Sequence, residues 1–297
     1  MALDRERIQK NIRKLRKLLK KPSKLRNPQG VHDLRTRTRR VEATLRATGL
    51  ASKRRESKLL RRLHPIRKKA GKVRDMDVLT GHVLELNPDG ERDCVVRLLE
   101  HLGAERYRLG KQLRRVVKQN AAPARSRLKQ LAEELASAAD QSGGKSSETG
   151  QSPRVKAAAS ALDLASELSQ PKNLNRGNLH SYRLKVKELR YVLKAAEGET
   201  DQHFVHALGA CKDAIGEWHD WEELLAIASD VLDRGRNCKL LDQLGALCKQ
   251  KFERALSITN QMRRDFLAVR SARGPRPAKR IQGTPRSALR AAGALAQ

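Results

Sequence analysis

The stretch VHDLRTRTRRVEATLRA, residues 31–47, carries two patterns at once. Val31, Leu34, Thr38, Val41 and Leu45 recur every three or four residues, the period of one face of an α-helix. His32, Arg35, Arg39 and Arg46 stand at i, i+3, i+7 and i+14, a basic seam along another side. Further on, LHSYRLKVKELRYVLKA, residues 179–195, repeats both patterns with a shift of 148. The apolar stripe falls on Leu179, Tyr182, Val186, Leu189 and Leu193. His32, Arg35, Arg37, Arg39 and Arg46 fall on His180, Arg183, Lys185, Lys187 and Lys194. Agreement on both faces is hard to obtain by chance.

The helix that follows each stretch repeats too, with a shift of 145. Leu59, Leu63, Ile66, Ala70, Val73 and Met76 fall on Phe204, Leu208, Cys211, Ile215, Trp218 and Trp221. Arg67, Gly71, Arg74 and Asp75 fall on Lys212, Gly216, His219 and Asp220. The shift changes because the connecting loops differ in length. This is a duplicated helical unit, and two such units are expected to pack about an approximate two-fold axis around a shared core.

Helical patterning extends outward from these four helices. Ile8, Ile12, Leu15 and Leu19 predict an amphipathic helix that breaks at Lys21-Pro22, followed by a turn at Asn27-Pro28-Gln29-Gly30. Helices are predicted over about 31–48, 59–79 with Pro65 as a kink or new start, 92–119 and 123–138. A turn at Asn87-Pro88-Asp89-Gly90 ends the unit of the 59–79 helix. The run DQSGGKSSETGQSP, 140–153, reads as a flexible linker. Helices then resume over 154–168, 179–196, 202–232 and 238–269, with a loop over 171–178. The basic, proline-bearing segment 271–297 reads as disordered. The predicted organisation is thus a first repeat over 1–139, a linker over 140–153, a second repeat over 154–270 and a tail. No β-hairpin signal occurs, so the predicted fold class is all-α.

Composition bounds the function. The 297 residues include 64 Lys and Arg against 33 Asp and Glu, a surplus of +31. A surplus that large repels itself, and a polyanionic partner is its usual reason. Aromatics make up only 3% of the chain, so the core must come largely from Leu, Val, Ile and Ala. Cys94, Cys211, Cys238 and Cys248 show no C-x-x-C spacing and read as reduced thiols, most of them buried. No apolar run reaches the roughly 18–20 residues that span a bilayer, and the first residues lack an apolar signal core, so the expected compartment is the cytosol.

Aligned cations on a helix oppose each other by roughly 0.2–0.5 kcal/mol per pair. A chain of phosphates reverses that sign, and the planar fork of Arg suits phosphate oxygens. His32 and His180 border core and basic face, where an imidazole can serve as a second kind of cation. Gly71 and Gly216 stand mid-helix, at a cost of about 1 kcal/mol relative to Ala. They serve either close helix packing or clearance for a ligand.

The segments VHDLRTRTRRVEATLRA, IRKKAGKVRDMDVL, LHSYRLKVKELRYVLKA and ACKDAIGEWHDWEELLAI together resemble the CHAD domain, the conserved histidine α-helical domain. The resemblance covers about residues 8–269. It implies two pseudo-symmetric helical bundles with a basic central channel, and non-enzymatic binding of inorganic polyphosphate, often at polyphosphate granules. It carries the binding role to His32, Arg35, Arg39, Arg67, Arg74, His180, Arg183, Lys187, Lys212 and His219. The repeat adds Arg37, Arg46, Lys185 and Lys194 to the candidates. Neither a catalytic residue, a metal nor a cofactor is implied. Arg40, Lys68 and Lys72 face Glu188, Asp213 and Glu217 in the second repeat, which is less basic there.

Two other functions fit parts of the sequence. Net charge alone suits a nucleic-acid binder, and weak binding of that kind is expected. Scarce aromatics and the absence of an RNA-module or helix-turn-helix signature speak against it as the main role. A metal-dependent phosphohydrolase would use His203, His206 and His219-Asp220. The first repeat, however, offers Arg74-Asp75 at the matching place, and arginine does not ligate a metal.

Overall fold

The computed structural model describes residues 5–48, 53–86, 92–140, 153–195, 201–232 and 239–267. Among them every regular element is helical. The predicted turn at 87–90, the body of the linker, Cys238 and the tail lie outside the described residues, as do the side chains of Arg46 and Lys194. The chain forms two compact units, residues 2–147 and 148–297.

The amino-terminal unit holds α1 (Arg5–Lys20), a short 3-10 turn (Pro22–Arg26), α2 (Pro28–Thr48), α3 (Lys53–Glu85) and α4 (Arg92–Asp140). Each helix packs on its neighbour in the chain, and α4 returns to α1. The stripe Val31, Leu34, Thr38, Val41, Leu45 is buried, as is Leu59, Leu63, Ile66, Ala70, Val73, Met76 on α3. Each fully buried Leu or Ile contributes about 1.5–3 kcal/mol. Thr38 is polar yet buried, because its hydroxyl donates to the Leu34 carbonyl at 2.8 Å. Arg106 of α4 pairs with the almost fully buried Asp77 of α3 at 2.6 Å and also donates to the Arg26 carbonyl at 3.1 Å. It thereby joins α3, α4 and the 3-10 turn.

The carboxy-terminal unit holds α5 (Pro153–Ser169), α6 (Arg176–Ala195), α7 (Gln202–Val231) and α8 (Lys239–Met262), the last running into a π-helical turn, Arg263–Leu267. Here too successive helices pack together, and the π turn closes onto α5. The stripe Leu179, Tyr182, Val186, Leu189, Leu193 is buried, together with Phe204, Leu208, Cys211, Ile215, Trp218 and Trp221. This core uses rings: Phe204 stacks on Phe266 at 5.0 Å and Trp218 meets Phe252 at 5.2 Å. Cys211 and Cys248 are buried free thiols and Cys94 is a half-buried one. Burial pushes the Cys211 thiol up to about 11.

Three local expectations change. Residues 28–30 are not a turn but the first turn of α2: Pro28 opens it, and the Asn27 side-chain oxygen accepts from the Gly30 N–H at 2.7 Å. Gly30 is required there, because a Cβ would overlap the Lys24 carbonyl. Likewise α6 begins at Arg176, inside the expected loop, and Asn175 accepts from the N–H groups of Gly177 and Asn178. Finally, the prolines start no new helices: α3 continues through Pro65, and 92–138 forms one helix rather than two, running through Pro123 to Asp140. The buried stripe Val117, Ala121, Ala124, Leu128 keeps register across Pro123, so packing outweighs the hydrogen bond that proline removes.

Candidate functional site

In the amino-terminal unit, α2 and α3 carry the candidate cations. Arg35 crosses from α2 onto α3, where the Cβ that Gly71 lacks would stand 3.6 Å from its Nε. Arg39 and Arg74 are half-buried, and His32 is exposed with its Nε2 3.5 Å from the Thr36 hydroxyl. Arg67 is drawn inward: its Nε lies 2.6 Å from a carboxylate oxygen of Glu42, which is nine-tenths buried. Arg37 turns away from this face and donates to Asn11 of α1 at 2.8 Å.

In the carboxy-terminal unit the set draws together more tightly. Arg183 of α6 lies across α7, where its Nε donates to the Lys212 carbonyl at 3.2 Å. A Cβ on Gly216 would stand 2.7 Å from one of its terminal nitrogens and 3.2 Å from its Nε, so this glycine clears the guanidinium. Arg190 repeats the arrangement about two helical turns away, over Gly209, with its Nε donating to the Val205 carbonyl at 3.4 Å. His180 and His219 meet with ring centroids 4.6 Å apart and planes tilted by 56°. The Nδ1 atoms of both rings are buried and make no hydrogen bond, and a Glu222 oxygen stands 3.9 Å from that of His219. Burial first, then His219, Arg183 and Lys187, hold the His180 imidazole below the usual histidine range, against the opposing pull of Glu222. Lys212 pairs with Asp213 beside it. Lys185 turns onto α5 and pairs with Glu167 at 2.8 Å, just as Arg37 turns onto α1.

The structure therefore brings together His180, Arg183, Lys187 and His219, and it brings Arg35 to the α3 face that carries Arg74. It commits Arg37 and Lys185 to neighbouring helices. The glycines serve an arginine of this chain, a use that lies between the two expected ones. Sequence reasoning missed Glu42, Arg190, Gly209 and Glu222. The repeat offset held the signal for the first two, since it sets Glu42 opposite Arg190, a reversal of charge at a position bordering the core.

The CHAD domain profile matches residues 6–232, a span that contains both helix pairs just described. The chain belongs to the CHAD domain family. Among solved structures, PptA from Streptomyces chartreusis is similar at a TM-score of 0.53 and 16% identity, covering 86% of this chain and 99% of that one. At that identity the likeness is one of fold. No curated protein matches the chain. The CHAD match ends at the close of α7, so α8 and the π turn lie beyond it. Among the described residues, no helix of this CHAD protein is long and apolar enough to cross a membrane, and no three His, Cys, Asp or Glu side chains gather as metal ligands.

Proposed function

We propose that this CHAD domain protein binds inorganic polyphosphate, without chemical turnover, along the basic faces of α2–α3 and α6–α7. The gathering of His180, Arg183, Lys187 and His219 at one place carries the reading. Such a group offers forked and point donors at close spacing, which suits a repeating phosphate anion. Trp218 and Trp221, the rings best suited to stacking on the bases of single-stranded nucleic acid, are buried in the core, which leaves Tyr191 as the exposed tyrosine of α6. Family membership supports the same partner.

The test compares two double variants of equal charge loss. Arg39→Ala with Lys187→Ala removes one half-buried cation from each basic face. Lys118→Ala with Lys249→Ala removes two exposed cations from α4 and α8. A lost charged hydrogen bond is worth about 1.5–3 kcal/mol, so the first pair should weaken binding of long polyphosphate by well over tenfold. The second should change it by about twofold at most. Equal losses in the two folded variants, or equal affinity for single-stranded RNA of the same charge at the same salt, would overturn the reading.

A further inference from the structure

We infer that polyphosphate binding to the carboxy-terminal unit is coupled to proton uptake at the His180–His219 pair, so that affinity rises as pH falls. The inference rests on the polyphosphate reading above. Two imidazoles in ring contact, each with a buried Nδ1 that makes no hydrogen bond, form a pair that cannot both carry charge comfortably while the site is empty. The surrounding charges strengthen that restraint. From α6, Arg183 and Lys187 act against a charge on His180, and from α7 Glu222 favours it. The helices packed behind add little to shift the balance. On α8, Lys251 is committed to Glu217 of α7 at 2.6 Å, and the buried Cys248 lies in the field of both Arg176 and Glu222. On α5, Glu167 is committed to Lys185.

An anionic chain at this place changes both terms. Its charge offsets that of Arg183 and Lys187, and its oxygens accept from imidazolium N–H groups. The protonation midpoint of the pair then moves up on binding. The sign follows: in the free protein His180 sits below the ordinary histidine value and is neutral at neutral pH. If the bound pair titrates higher, the extra affinity is fully present below the free value and is lost as pH rises through the bound value. For one coupled proton the slope approaches about tenfold in affinity per pH unit between the two. Among the described residues the amino-terminal unit shows no such ring pair, and its His64 is exposed with its Nδ1 3.2 Å from Arg67. Its position aligned with His219 is Arg74, whose charge is permanent, and His32 is exposed. The buried ring pair is thus particular to the carboxy-terminal unit among the described residues.

The experiment is calorimetric titration of the full chain with long-chain polyphosphate, whose internal phosphates do not titrate near neutrality. Runs at one pH in buffers of different ionisation heat count the protons taken up, and runs from pH 7.5 to 5.5 give the affinity slope. The expected result is uptake of about one proton and a rise of at least about tenfold in affinity over that range. In the His180→Gln, His219→Gln variant the uptake should vanish. In the His203→Gln, His206→Gln variant, which alters exposed histidines of the same helix, uptake and slope should persist. Tight binding with no proton uptake, or uptake that survives loss of His180 and His219, overturns the inference and leaves the polyphosphate reading standing. No binding at any pH overturns both. The proton count on the unaltered chain decides the matter even where a variant fails to fold.

Discussion

One turn beyond Thr38 the amino-terminal unit carries Glu42, and at the aligned place beyond Val186 the carboxy-terminal unit carries Arg190. The buried Glu42 reaches across to Arg67 and joins α2 to α3 by an ion pair at 2.6 Å. Arg190 joins α6 to α7 by lying over Gly209 and donating to a helix carbonyl, with no acid paired to it among the described residues. Lys212, the counterpart of Arg67, pairs with its exposed neighbour Asp213 instead. Opposite charges at one position therefore do the same job, provided the facing helix supplies either a cation or a glycine with an accessible carbonyl. The difference teaches that two helix pairs with matching sequence patterns can keep a crossing contact while leaving its chemistry open. It also leaves the first unit with one of its cations occupied from within.

The largest expected contrast lies in the cores. Trp218 and Val73 occupy matching buried positions. Trp218→Ala should cost about 3–5 kcal/mol, as loss of a buried aromatic does, and Val73→Ala about 2 kcal/mol. Both tryptophans of the chain, Trp218 and Trp221, belong to the carboxy-terminal unit, so the fluorescence of the remaining Trp221 reports the unfolding of that unit during denaturant titration. Hydrogen exchange resolved by peptide reports the other. Equal costs in the two would erase the claim that the second core depends on rings.

The crossing contacts give the next contrast. Arg67→Ala withdraws the partner of a buried carboxylate and should cost about 2 kcal/mol, the value for a buried pair discounted for the partial exposure of Arg67. Lys212→Ala breaks a pair whose acid is exposed and should cost under about 1 kcal/mol. Denaturation midpoints of both variants that move by the same amount would break the comparison.

The smallest effect is the sharpest in sign. Gly71→Ala brings a methyl to ordinary contact distance from Arg35 and should stabilise α3 by up to about 1 kcal/mol through helix propensity. Gly216→Ala gains the same propensity but drives the guanidinium of Arg183 off the Lys212 carbonyl. Loss of that charged hydrogen bond should leave a net destabilisation of about 1 kcal/mol. Shifts of one sign in both variants would show that the two glycines do not differ in what they clear.

Much of this was legible in the residues. The paired stripes named the buried positions of four helices, and each of those positions is buried. Helix ends were harder to read where packing overruled local chemistry. Pro123 would end an isolated helix, yet the stripe from Val117 to Leu128 carries α4 past it. Asn-Pro-Gln-Gly reads as a turn until the Asn27 cap turns it into a helix start. The candidate site was legible as a set of cations but not as a set of directions. Arg37 and Lys185 share the repeat with Arg35 and Arg183, but which neighbour a side chain turns to depends on the helix packed beside it. The His180–His219 contact could not be read either, because it joins two helices whose relative rotation no single stripe determines.

A free arginine on a helix surface samples many rotamers, and fixing it costs roughly 2 kcal/mol of side-chain entropy. Resting in the space left by Gly216 and tied to the Lys212 carbonyl, Arg183 has given up part of that freedom during folding. An anion that meets it meets a donor already ordered, and loses less of its binding free energy to immobilisation than it would at a loose surface cation. By leaving room for that guanidinium, Gly216 would strengthen the binding of an anion it does not itself touch.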